Sequence, residues 1–224
     1  IGLYCVTNAQ YAAFLNAVQP SDEDLGSWIV LRGERDGPAH SPSHCKPSHC
    51  RVARTSAGYE VDGAEEYAEH PIVDVSWNGA QAYCDWAKLR LPSELEWEKA
   101  ARGPDGRGYP WGDVWEPSRC RSGSYRELGT GRVDELPDGR SPYGPYGMSG
   151  NVDEWCADWY DSAAYRRYAE GDLRPPPETD YKVFRGGNFS TGSERTCHAR
   201  HRGSNPPWSR AQFGTVGFRC ARDP

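Results

Sequence analysis

Apolar and polar residues alternate in the opening IGLYCV, which predicts a strand, and the period then lengthens. In TNAQYAAFLNAV the residues Tyr11, Phe14, Leu15 and Val18 fall on one helical stripe. Thr7, with Gln10 three residues on, forms the capping box that starts the helix. Residues 19–70 are polar and dense in turn signals, and PIVDVSW reads as a short buried strand. A second helix follows in SWNGAQAYCDWAKLR, capped near Asn78 with Gln81 three residues on. It turns Ala82, Cys84, Trp86 and Leu89 to roughly one side. LPSELEWEKAARG predicts a third helix, with Ser93 and Glu96 as its capping box and Gly103 as its stop. Two main helices are thus expected to pack at residues 76–90 and 93–102. Beyond Gly103 no long helical period appears. GMSGNVDEWCADWY, YKVFRGGNF and TVGFRCAR are strand-like and separated by long loops. Helices early and short strands late predict an α+β fold, without βαβ alternation or a solenoid repeat.

Composition narrows the class. Only 37% of the 224 residues are hydrophobic, with 25 glycines and 18 prolines, so a helical bundle is excluded. Nine tryptophans and 13 tyrosines exclude a disordered chain and predict one loop-rich domain over residues 1–224 with a core of large aromatics. The net charge of -6 and pI near 5.6 argue against a nucleic-acid or anionic-membrane partner. No apolar run reaches membrane-spanning length. The chain opens inside a strand-like segment, so its natural start is expected to be missing. Eight cysteines, an even count, leave disulfides open and favour an extracytoplasmic setting. A monomer is the expected state.

Two segments concentrate possible chemistry. In RGGNFSTGSERTCHARHR, Cys197 sits among Arg195, His198, Arg200, His201 and Arg202, and cations lower a thiol's pKa. One cysteine and two histidines still lack a further ligand in sequence reach, so a disulfide half or a buried thiol is the favoured reading. In HSPSHCKPSHC, residues 40–50, His44-Cys45 and His49-Cys50 repeat within a duplicated PSHC. Sulfur and imidazole at that density suit zinc or copper, but the usual chelate spacing is absent, and a Cys45–Cys50 disulfide is an alternative.

Six motifs occur in order: VTNAQYAAFL, HPIVDVSWNGAQAYCDWAKLRLPSELEWEKAARG, YPWG, YGMSGNVDEW, FRGGNF and VGFRCAR. Through them the chain resembles the formylglycine-generating-enzyme, or sulfatase-modifying-factor, domain family over nearly its whole length apart from residues 19–65. The resemblance implies a C-type-lectin-like α+β fold, with a small twisted antiparallel sheet, two packed helices and much irregular backbone. It implies structural Ca²⁺ held by the carbonyls of Gly147, Gly150 and Val152 and the side chain of Glu154. It implies a disulfide between Cys84 and Cys220. Cys197 is then left free or paired elsewhere, with Cys120 and Cys156 the first candidates.

Function is less closely implied, because the family holds a copper oxidase, iron-dependent sulfoxide synthases and non-catalytic ligand binders. Counted from the Gly-Gly turn, the two copper-binding cysteines of the oxidase fall on Thr191 and Thr196, and hydroxyls do not replace thiolates at Cu(I). Formylglycine generation is therefore not expected. The favoured reading is a ligand-binding module, in the manner of the variable proteins of diversity-generating retroelements, taking a protein, peptide or small molecule. Its surface would come from residues 188–215, with His198, Arg200, His201, Arg202, Trp208, Arg210 and Phe213 as contacts. The alternative is a copper- or iron-dependent oxidase with rearranged ligands.

Overall fold

The protein is described by a computed structural model for residues 1–34, 49–125, 128–190, 193–209 and 214–223. Its first half is helical. Helix α1 (Asn8–Val18) starts on the Thr7–Gln10 capping box, both halves of which form. Helix α4 (Trp77–Ala87) and helix α5 (Glu94–Arg102) follow a second pair of short helices, α2 (Asp22–Trp28) and α3 (Ala64–Tyr67). Between α2 and α3 lies a hairpin of β1 (Val52–Thr55) and β2 (Gly58–Val61). The second half supplies β3 (Asp153–Trp159), a short helix α6 (Ala164–Ala169), β4 (Lys182–Arg185), β5 (Arg202–Asn205) and β6 (Val216–Gly217). These four strands form one sheet in the order β5-β4-β3-β6.

The core is aromatic, as composition predicts. Tyr11 and Phe14 of α1 meet Tyr83 of α4, and Tyr83 meets Phe218 edge-on at 5.4 Å beside the last strand. Phe14 stacks on Trp28 at 5.5 Å. Helices α2 and α4 touch through Gly79. A Cβ there would lie 2.5 Å from the Trp28 carbonyl oxygen, so only glycine lets the backbones approach.

Several expectations change. Residues 1–6 form no strand, although Gly2 and Val6 donate backbone hydrogen bonds to Cys220 and Phe218. PIVDVSW makes only isolated bridges, at Pro71 and Val75, because Asp74 adopts φ 60° and interrupts any ladder. Helix α4 is capped by Ser76, two residues before Asn78, and buries Gly79, Ala80, Tyr83 and Cys84. Trp86 is 40% exposed and Val18 also faces outward. Helix α5 keeps its predicted capping box and Gly103 stop. Residues 19–70 are more regular than their polarity suggests, since α2 buries only Leu25 of its seven residues and each hairpin strand only one of four. The sheet is mixed, because β3 runs parallel to β6 while β3–β4 and β4–β5 are antiparallel.

Candidate functional site

The motifs converge on buried ion pairs beneath one surface. Arg185, at the end of β4, is fully buried and donates to Glu94 at 2.5 Å and Glu98 at 2.6 Å, both on α5. Arg202, on β5, grips the same Glu94 carboxylate with two hydrogen bonds of 2.6 and 2.7 Å. Glu154, on β3, is equally buried and takes Arg219 bidentately at 2.5 and 2.7 Å. A charge taken out of water at such cost persists only when paired.

These pairs hold the Gly186-Gly187 turn. Both glycines have positive φ, 113° and 74°, and a Cβ on Gly187 would sit 2.7 Å from the Thr196 carbonyl oxygen. Asp153 accepts from Gly187 N at 2.9 Å and from Asn188 Nδ2 at 2.7 Å. Burial pushes its carboxyl up to about 7 against those two donors. The chain beyond the turn is thus fixed from below.

Above it lies a cavity of about 670 Å³, lined by Tyr109, Ser193, Glu194, Arg195, His198, Arg200 and His201. The Tyr109 ring forms a wall. It stacks on Trp111 at 5.4 Å, leans on Trp115 at 5.3 Å and meets the edge of His198 at 5.1 Å. Its hydroxyl donates to the Glu194 carbonyl at 3.0 Å, tying the YPWG turn to the cavity loop. Arg195 and Arg200 are exposed and have no carboxylate partner among the described residues. Burial, with Arg200 beside His198 and Arg185 beside His201, holds both imidazoles below their ordinary pKa and favours their neutral form. The cavity therefore offers a flat apolar wall, two guanidinium groups without a carboxylate partner among the described residues and two neutral imidazoles.

Of the residues expected to bind, His198, Arg200 and His201 come together here. Arg202 does not, since its guanidinium is spent on Glu94. Trp208 is 67% exposed but does not line this cavity. Arg210 and Phe213 lie outside the described residues. Ser193, Glu194 and Arg195 lie within the expected surface 188–215 without being named as contacts, whereas Tyr109 lies outside it, and YPWG is the signal that points to it.

Cys197 is fully buried beside Cys120, so it faces no substrate. Of its two suggested partners, Cys120 is the one beside it. Cys156 packs instead with Trp97 and Val183. Cys84 and Cys220 stand together as thiols, their sulfurs 3.6 Å apart. His40, His44 and Cys45 lie outside the described residues, and Thr191 does also. His49 and Cys50 donate their backbone N–H groups to Asp74 at 2.6 and 2.9 Å. The Thr196 hydroxyl hydrogen-bonds with Ser193. Among the described residues no three His, Cys, Asp or Glu side chains converge as a metal group.

The calcium ligand set does not fit. Both Glu154 oxygens accept from Arg219, Oε2 also accepts from Trp97 Nε1 at 2.9 Å, and Oε1 from the Cys5 thiol at 3.3 Å. The Gly150 carbonyl accepts from Val152 N at 3.0 Å. Glu154 is thus the counter-ion of an arginine, and the set implied with Gly147, Gly150 and Val152 loses its one anionic ligand. The spacing in GNVDEW carried no sign of this, because the cation comes from Arg219, 65 residues away.

Comparison with known proteins agrees with the fold. The chain is 36% identical to the serine/threonine-protein kinase Pkn1 of Chlamydia trachomatis over 231 residues, matching all of this chain and 33% of the kinase. It therefore spans about a third of the length of that relative. It is 38% identical to the formylglycine-generating enzyme of Streptomyces coelicolor, matching 97% of this chain and 76% of the enzyme. Among solved structures, PvdO from Pseudomonas aeruginosa superposes with TM-score 0.71 at 22% identity, covering 99% of this chain and 78% of PvdO. Treponema denticola variable protein 1 superposes with TM-score 0.61 at 24% identity, covering 80% and 78%. Both share the C-type-lectin-like α+β fold. No described helix is long and apolar enough to cross a membrane. The model of the sulfatase-modifying factor enzyme 1-like domain matches residues 1–224, and the chain belongs to that family.

Proposed function

We propose that this protein is a ligand-binding module that takes an anionic ligand with a flat apolar part into the cavity between the Tyr109 wall and residues 193–201. One observation carries the reading. The other cations of this region, Arg102, Arg185 and Arg202, are engaged by Glu94 or Glu98, whereas Arg195 and Arg200 at the cavity carry no carboxylate partner among the described residues. Planar guanidinium groups beside an aromatic face suit a carboxylate or phosphate attached to a ring. The presence of a variable protein among the fold's known members is compatible with this use of the scaffold.

The second reading, an oxidase using copper or iron, is favoured by the formylglycine-generating relatives. Its observation here is the pair of neutral imidazoles, His198 and His201, lining one cavity. Two measurements separate the readings. Elemental analysis of purified protein is expected to find no stoichiometric copper or iron. Mass spectrometry of a Cys-x-Pro-x-Arg peptide incubated with the protein, copper and oxygen is expected to find no conversion of thiol to aldehyde. Indole-3-acetate, used as a probe, is expected to shift the amide resonances of residues 109 and 193–201. Conversion of the peptide, or shifts confined to other surfaces, would overturn the binding-module reading.

A further inference from the structure

Seven cysteines lie among the described residues, and two pairs of them are neighbours. Cys84 and Cys220 join α4 to the end of the chain. The other pair, Cys120 and Cys197, lies under the cavity. Cys197 immediately precedes the lining residue His198, and its neighbours are held on every side. Its backbone N donates to Ser193 O at 2.9 Å, its carbonyl accepts from Ser149 Oγ at 2.7 Å, and its sulfur lies 3.0 Å from the position of a Cβ on Gly187. Cys120 ends the short 3₁₀ turn Pro117–Arg119 and faces a narrow polar crevice, lined also by Gly147, Ser149 and Asn151, with room for about one water. Ser149, which lines that crevice with Cys120, is the residue whose hydroxyl holds the Cys197 carbonyl, so the two cysteines flank one side chain, and each is the other's principal electrostatic neighbour.

We propose that Cys120 and Cys197 are a redox-convertible pair whose disulfide fixes the cavity loop 193–201 to the segment 117–122. The two thiols have different roles. The neighbouring Cys197 and Ser122 hold the Cys120 thiol below its ordinary pKa, while Cys120 and burial push the Cys197 thiol up. Cys120, at the crevice, is the attacking sulfur. Its thiolate displaces one thiolate from a low-molecular-weight disulfide and forms a mixed disulfide. Cys197 gives up its proton and attacks the Cys120 sulfur, releasing the second thiol. Two protein S–H bonds are replaced by one S–S bond, and the small disulfide is reduced to two thiols. Each cysteine is at most 1% exposed, so the crevice must open before exchange, which makes the reaction slow. That the lock also tunes ligand affinity rests on the binding-module reading. The lock itself does not.

The test uses the full chain carrying Cys220→Ser, which removes the neighbouring pair at a half-buried position. The protein is equilibrated with reduced and oxidised glutathione at graded ratios, quenched in acid, alkylated after unfolding and mapped by mass spectrometry. A single cross-linked species joining the Cys120 and Cys197 peptides is expected, converting with one midpoint. Both thiols alkylating separately at every ratio, or a cross-link from either to another cysteine, would overturn the assignment. Trypsin then reads the lock without any ligand, since Arg195 and Arg200 are exposed in the loop. Cleavage there is expected to slow by about tenfold or more in the oxidised form, as an added opening cost of about 1.4 kcal/mol requires. Equal cleavage rates in a fully cross-linked sample would show that the bond fixes nothing.

Discussion

At the scale of single residues the fold depends on charges hidden from water. Glu154 accepts four hydrogen bonds and neutralises Arg219, so Glu154→Gln leaves a buried guanidinium without its counter-charge. Such a change is expected to destabilise the protein by about 3–5 kcal/mol in chemical denaturation. EGTA is expected to leave the melting temperature of the parent protein unchanged. A fall in melting temperature on EGTA treatment would restore the calcium reading. Asp153 gives a second test. Its carboxyl stands at about 7 when folded and near 3.8 when unfolded, a raised value. The stability it contributes is fully present below pH 3.8 and is lost as pH rises through 7. The stability of the parent relative to Asp153→Asn is therefore expected to decline between about pH 4 and 7. A difference independent of pH would contradict the assignment. Neither role was legible in the sequence. A string of letters marks Glu154 and Asp153 as acidic, but burial and the identity of a partner 65 residues away are properties of the folded chain.

At the scale of elements, helices were easier to read than strands. Capping is local, and Thr7 with Gln10 and Ser93 with Glu96 carry their signals within four residues. Thr7→Ala is expected to cost about 1 kcal/mol, measured by urea denaturation. Gly187→Ala acts through different physics. It meets both a φ of 74° and the Thr196 carbonyl, and is expected to cost at least about 2 kcal/mol. A cost for Gly187→Ala below that of Thr7→Ala would mean that the turn relaxes freely. Strands were harder because their hydrogen-bond partners are remote. Residues 1–6 alternate as a strand should, yet they meet the chain end through scattered bonds. In β3 the first five residues, Asp153 to Ala157, include four fully buried and no clear alternation, because both faces of the strand are covered. Helix α2 and the β1–β2 hairpin escaped notice because their exposed residues dominate the local pattern.

At the scale of the whole molecule, sequence-distant segments build both the scaffold and the cavity. Cys84 and Cys220 are 136 residues apart in the chain, and their thiols touch. In protein prepared under oxidising conditions a bridge between them is expected, and reducing it should lower stability by up to about 5 kcal/mol. Peptide mapping that finds both thiols alkylatable in such a preparation would contradict this. The cavity is built in the same way. YPWG supplies the Tyr109 wall, and the loop before β5 supplies the cations, so the expected surface 188–215 holds six of the seven lining residues, three of them named as contacts, while Tyr109 comes from outside it. Arg202 looked equivalent to Arg200 in the sequence, and only the position of Glu94 separates the buried ion pair from the available charge.

The most direct test of the cavity as a binding site is calorimetric titration of the parent, Arg195→Gln, Arg200→Gln and Tyr109→Ala with indole-3-acetate. A charge-assisted hydrogen bond contributes about 1.5–3 kcal/mol, so each arginine variant is expected to weaken binding by about tenfold or more. Tyr109→Ala should weaken it further by removing the flat wall. Lowering the pH to protonate His198 and His201 should strengthen binding, because both add positive charge beside the carboxylate. Affinity unchanged in both arginine variants and insensitive to pH would contradict the assignment of this cavity as an anion-recognising site.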